Sequence, residues 1–224
     1  MLADETLRAA ILDYRHLLDR GYPVQATIKL VGDRYRLDRS ARMILFRGVL
    51  DAKTSEMIAA RLVSGLPRKA SLCVDGYNVL FTLANYRSGH PLFVGTDGLL
   101  RDAGGAHGRF ASASSFGEAL QAFIDYLPSL DPQRVVCYLD APVSTSHDHA
   151  AAMRQDCGRV GVVVDVRVVQ SADPCVIAFE GDAVATSDSV IALASRSPVY
   201  DLARDVLERR FGARFSDLRG MVDV

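Results

Sequence analysis

Four aspartates stand where the apolar runs in the second half of the chain stop. Asp75 closes Ser71-Leu72-Cys73-Val74-Asp75, and Gly76-Tyr77-Asn78 follows at once. Asp140 closes Arg134-Val135-Val136-Cys137-Tyr138-Leu139, Asp173 stands in Ser171-Ala172-Asp173-Pro174, and Asp188 follows Val184-Ala185-Thr186-Ser187. In a parallel sheet all strand C-termini lie on one edge, so four such acids converge there. Carboxylates held together raise each other's pKa unless a cation resolves the repulsion. Hard oxygen donors of this kind suit Mg²⁺ or Mn²⁺. Singly, each acid has a plainer reading. Asp75 could cap a helix starting near Val79, and Asp173 before Pro174 is a common helix start. Four acids at equivalent places on successive strands favour a shared site.

The elements that would position them follow from periodicity. Apolar runs predict strands at 70–75, 134–139, 160–169 and 182–187, and helical spacing predicts helices at 79–86, 115–127, 147–157, 173–180 and 200–210. Alternation of this kind predicts an α/β fold with a three-layer parallel sheet. Residues 87–114 read as a long insertion, and loops of that length are commonly functional. Before residue 66 the pattern is different. Helices are predicted at 4–20, 25–31, 39–50 and 54–63, separated by Gly, Pro and Asp punctuation.

The two parts differ in charge. Residues 1–69 hold 13 Lys and Arg against 8 Asp and Glu, a net of +5, whereas residues 70–224 hold 13 against 19, a net of -6. The densest basic stretch is Arg34, Arg36, Arg39, Arg42 and Arg47, interleaved with Tyr35. A solvated helix face is the plainer reading of such a run, and a binding surface gains ground only if the other part acts on nucleic acid, where phosphate neutralisation supplies most of the affinity. The four cysteines show no paired metal-ligand spacing. No apolar run reaches the roughly 18–20 residues that cross a bilayer, and the acidic N-terminus lacks the layout of a signal peptide. A cytoplasmic protein with no membrane partner is expected.

Together, Asp75-Gly76-Tyr77-Asn78, the strand-end Asp140, Ala172-Asp173 and Val184-Ala185-Thr186-Ser187-Asp188-Ser189 resemble the successive motifs of PIN-like nucleases, particularly the NYN branch. The whole chain, helical front included, is also similar to a prokaryotic DUF434-like family, a domain of unknown function. The nuclease resemblance implies a PIN/NYN-type sheet in 70–224, behind a small, basic, all-helical RNA-binding domain in 1–66. It implies catalytic, metal-binding acids at Asp75, Asp140, Asp173 and Asp188, supported by Asn78 and Ser187, with Mg²⁺ or Mn²⁺ as cofactor. Such enzymes often carry a further acid between the first two motif strands, for which Asp97, Asp102 and Glu118 are candidates. Arg34, Arg36, Arg39, Arg42, Arg101 and Arg109 are the expected RNA contacts. The partner would be RNA, a tRNA or another structured RNA, and a homo-oligomer is compatible with all of this. The expected function is therefore a divalent-metal-dependent ribonuclease. The alternative is a non-catalytic RNA- or metal-binding protein that retains the fold.

Other motifs rank lower. Gly104-Gly105-Ala106-His107-Gly108-Arg109 lacks the ending of a P-loop and reads as a lid. His147-Asp148-His149 reads as an exposed polar cap, because neighbouring residues on a helix do not face one point. Ser144, Thr145 and Ser146 are expected to cap that helix or meet a phosphate. No Gly-x-Ser-x-Gly elbow is present. A phosphatase of the haloacid-dehalogenase type would need an acid where Tyr77 stands.

Overall fold

The computed structural model describes residues 5–103, 113–143 and 145–222. Four helices open the chain: α1 (Glu5–Asp19), α2 (Val24–Arg34), α3 (Arg39–Gly48) and α4 (Ala52–Ala59). There follow β1 (Leu62–Val63), β2 (Ser71–Asp75), α5 (Gly76–Arg87), β3 (Leu92–Val94), β4 (Leu100–Asp102) and α6 (Ala113–Tyr126). Next come β5 (Arg134–Asp140), α7 (Ser146–Arg159), β6 (Val164–Val169), α8 (Asp173–Ile177), β7 (Ala183–Ala185) and α9 (Ser189–Ala194). The chain closes with β8 (Val199–Tyr200), α10 (Leu202–Phe211), β9 (Ser216–Asp217) and α11 (Arg219–Val222).

These elements sort into two compact units. The first holds the helices up to Ala60, the segment beginning at Gly89, and the chain from Arg214 onward. Helices α3 and α4 start where short acceptors supply caps: Asp38 accepts from Ala41 N at 2.8 Å, and Asp51 from Thr54 N at 2.9 Å. Strands β3 and β4 form an antiparallel hairpin, and β9 adds to β3 in parallel. Leu7, Ile11 and Tyr14 of α1 share one core with Ile44, Leu45, Phe93 and Leu218. Thus part of the expected 87–114 insertion is no free lid, because Phe93 is buried in the helical unit's core. Residues 104–112, with His107 and Arg109, lie outside the described residues.

The second unit comprises Arg61–Ser88 and the described residues between 113 and Ala213. Its six strands run in the order β1-β8-β7-β2-β5-β6 and all pair in parallel. The α/β architecture expected from the alternating pattern is present. Two short strands were not expected. Leu62–Val63 reads by spacing as the end of the fourth helix, yet it pairs with Val199–Tyr200. The helical region accordingly ends near Ala60 rather than at 66. Strand β6 starts at Val164, not 160, because Gly161 takes a positive φ of 77° and turns the chain first. Helices α5, α6, α7 and α10 pack on one another, while α8 and α9 pack together. The right-handed crossover rule places that second pair on the opposite face, since the chain reverses direction across the sheet after β6.

Candidate functional site

The strand order fixes where a crevice opens. From β2 the chain moves outward through β5 to β6, then returns to lay β7 on the other side of β2. Beyond the C-terminal ends of β2 and β7 the flanking helices therefore diverge, and open α/β sheets bind ligands at such a point. Asp75 ends β2 there. It occupies the N-cap position of α5, but its side chain makes no cap hydrogen bond. Instead its Oδ2 accepts from Thr186 Oγ1 at 2.9 Å, across the switch point. The capping reading of Asp75 thus holds for position and fails for chemistry.

Asp75 is 5% exposed. Burial pushes its carboxyl up to about 7, and Asp173, Asp188 and Asp140 push the same way, against the Thr186 hydrogen bond. Gly76 is required by close approach. A Cβ there would lie 2.8 Å from both the Tyr138 carbonyl oxygen and Cys137 Sγ, so the chain passes from strand to helix only with the smallest residue.

Asn78 locks the first turn of α5 to the end of β7. Its Oδ1 accepts from Ser187 N at 2.8 Å and from Ser187 Oγ at 3.0 Å. Thr186 Oγ1 also accepts from Asp188 N at 3.1 Å. The Asp75 and Asp188 segments therefore share one hydrogen-bonded joint. Asp188 itself is the cap of α9, accepting through Oδ1 from Val190 N at 2.8 Å and Ile191 N at 3.2 Å. It is a helix cap whose carboxylate stays exposed at the mouth.

On the other side, Asp140 Oδ1 accepts from Ala172 N at 2.9 Å, pinning the start of α8 beside the end of β5. That tie brings in Asp173, exposed in the first turn of α8. Partial burial raises the Asp173 pKa, with Asp188 and Asp140 adding to it. The four predicted acids therefore feel one another electrostatically at one edge.

The donor set is all carboxylate oxygen, which matches a hard divalent ion. Among the described residues, however, no three His, Cys, Asp or Glu side chains come together closely enough to form a ready metal cage. A hydrated Mg²⁺ makes a lesser demand, since it keeps several waters and takes one or two carboxylates directly. One buried acid rimmed by more exposed ones meets that demand.

The other expected site residues fall elsewhere. Asp97 is fully buried and bonded twice by Arg101, at 2.6 and 2.5 Å. Asp102 is bonded by Arg47 at 2.7 Å, and Glu118 by Arg87 at 2.7 Å. None is a spare acid, and Arg101 is no RNA contact, because each charge is already neutralised within its own unit. The basic stretch is also thinner than its sequence suggests. Arg42 is structural: it bonds Asp33 at 2.8 Å and the Leu37 carbonyl at 3.0 Å, lying over Gly32. Arg34 leans on Asp13 at 3.5 Å yet stays exposed, as do Arg36 and Arg39.

Sequence reasoning missed Thr186, Tyr77, Phe116 and His149. Tyr77 stacks on Phe81, with ring centroids 5.2 Å apart. Their spacing of four residues on one helix was the available signal. His149 is hydrogen-bonded through Nδ1 to the Tyr77 hydroxyl at 3.0 Å. It is not the exposed cap that its neighbours His147 and Asp148 are.

Two family models match successive parts of the chain. The family described as a protein of unknown function (DUF434) matches residues 6–61, which fits the DUF434-like front expected from sequence. A second, described as a domain of unknown function (DUF5616), matches residues 67–205 and so takes in all four acids. The chain is 26% identical over 201 residues to an uncharacterized protein of Methanocaldococcus jannaschii, covering 88% of this chain and 94% of that one. No solved structure matches. Since the second match spans more than half of the sequence, the chain belongs to the DUF5616 family, with a DUF434 region before it.

Proposed function

We propose that the protein is a divalent-metal-dependent ribonuclease with a PIN/NYN-like sheet, using the acid edge to cleave phosphodiester bonds. The observation that carries this reading is Asp75, a carboxylate buried at the switch point in the field of three other acids. A buried charge with one hydroxyl partner and no basic neighbour among the described residues is costly, and perturbed acids in a crevice mark functional sites. Asp75 and Asp140 would hold Mg²⁺ or Mn²⁺ from the ends of two adjacent strands, with Asp173 and Asp188 at the rim. A bound ion supplies a water of lowered pKa and neutralises charge on the scissile phosphate.

The chain's own residues do the positioning. Thr186 fixes which Asp75 oxygen stays available, while Asn78 and Ser187 keep β7 from sliding along α5. Arg36 and Arg39 are the exposed cations with which the helical unit would meet RNA phosphates. The test is cleavage of end-labelled structured and unstructured RNA in Mg²⁺ or Mn²⁺ by the wild type, Asp75→Asn and Asp188→Asn. Asn is as good a cap as Asp, so the second variant keeps α9 intact. Metal-dependent cleavage lost in both variants is expected, and full activity in both would sink the assignment. Metal-independent RNA binding without cleavage would select the non-catalytic alternative.

A further inference from the structure

Three helices start at the same edge of the sheet as the acids, and each presents a ring in its first turn. Tyr77 stands in α5, two residues after Asp75; Phe116 stands in α6; His149 stands in α7, which follows the strand ending in Asp140. The rings form a continuous assembly. Phe81 stacks on Tyr77, Tyr77 tilts against Phe116 at 6.3 Å, and the His149 imidazole stacks on Phe116 at 4.2 Å and 28°. Tyr77 and Phe116 are buried, while His149 and Phe81 are half-exposed.

The imidazole's surroundings restrict what it can do. Its Nδ1 is bonded to the Tyr77 hydroxyl at 3.0 Å, and its Nε2 meets Thr145 Oγ1 at 3.3 Å. One ring face lies on Phe116. Both nitrogens and one face of this partly exposed ring are therefore engaged, which leaves its second face for a ligand. A ring so held is poorly placed to ligate a metal or pass a proton, but well placed to offer a flat, rigid surface. Flat surfaces beside a phosphate site suit unpaired nucleobases, which stack on aromatic side chains with little regard to sequence.

We infer that His149, backed by Phe116 and oriented by Tyr77, is a stacking platform for an unpaired base next to the acid edge. The inference rests on the RNA reading above and narrows its substrate class to single-stranded segments. Stacking one base contributes enough that its loss weakens binding on the order of tenfold or more. It adds no phosphate contact, so the salt dependence stays unchanged.

The experiment uses a short single-stranded RNA carrying 2-aminopurine, titrated with full-length protein in EDTA so that no cleavage intervenes. Wild type should quench the probe, His149→Ala should bind about tenfold more weakly with the same salt slope, and His149→Phe should restore affinity and quenching. A fully paired version of the same RNA should not distinguish the variants. Circular dichroism of each variant checks the fold, and the rescue by Phe separates lost stacking from lost structure. Equal binding by wild type and His149→Ala, or a Phe variant as weak as the Ala variant, overturns the platform while leaving the nuclease reading standing. Absence of any RNA binding by the wild type, both in EDTA and with Ca²⁺ added in place of Mg²⁺, overturns both.

Discussion

Replacing Asp75 by Asn should make the protein more stable, and the gain should depend on pH. The carboxyl titrates near 7 in the folded chain against a reference of 3.8, chiefly through burial. Its folded pKa lies above its unfolded one, so its protonated form stabilises the fold fully below about pH 4, and that contribution is lost as pH rises through about 7. A difference of roughly three units at about 1.4 kcal/mol each amounts to about 4 kcal/mol. Asn has similar shape, keeps an oxygen for the Thr186 hydroxyl, and carries no charge to desolvate. Urea unfolding followed by circular dichroism, in EDTA, should find Asp75→Asn the more stable form at about pH 8, by up to about 4 kcal/mol. For a chain of this length that is on the order of 10 °C in Tm. The gap should close toward pH 4, and Mg²⁺ should narrow it at pH 8 by stabilising only the wild type. A variant that is no more stable than wild type at pH 8, or a gap indifferent to pH, would show that burial of the Asp75 charge does not destabilise the fold.

Other expectations concern both units. Asp97→Ala leaves Arg101 buried without its partner, and breaking such a pair costs about 3–5 kcal/mol; thermal unfolding measures it directly. Asn78→Ala orphans the Ser187 amide and should cost about 1–3 kcal/mol, again read as Tm. Gly32→Ala should push the Arg42 guanidinium off its Asp33 and Leu37 partners, because a Cβ would lie 2.2 Å from Arg42 Nη1, so the helix-propensity gain of about 1 kcal/mol should appear in full in Tm only when Arg42→Ala is made with it. Converting Arg36 and Arg39 to Gln should flatten the plot of log affinity for single-stranded RNA against log salt by about 1.4, two contacts at about 0.7 each.

What the sequence disclosed and what it hid follow from range. The strand cores and the four edge acids were legible because each depends on local patterns, an apolar run and the residue that stops it. The edge strands Leu62–Val63 and Val199–Tyr200 were not, since two residues carry no period and exist only because they pair with each other. The joint between Asp75 and Thr186 spans 111 residues of sequence, and no local rule connects them. The hairpin at Leu92–Asp102 read as a loop because its buried Asp97–Arg101 pair places charges where a core strand normally carries apolar groups. Likewise, the basic stretch looked like one surface because composition does not reveal that Arg42 and Arg47 face Asp33 and Asp102. His149 was masked by its polar neighbours, and only the fold sets it on Phe116.

The proposed nuclease depends on a divalent ion held at the acid edge through Asp75. Electron paramagnetic resonance of free Mn²⁺, titrated with protein at about pH 8, tests it without any substrate. The wild type should deplete the free-ion signal and Mg²⁺ should restore it by competition, whereas Asp75→Asn should leave the signal nearly unchanged. Equal depletion by wild type and Asp75→Asn, or none by the wild type, would rule out Asp75 as a ligand of the ion.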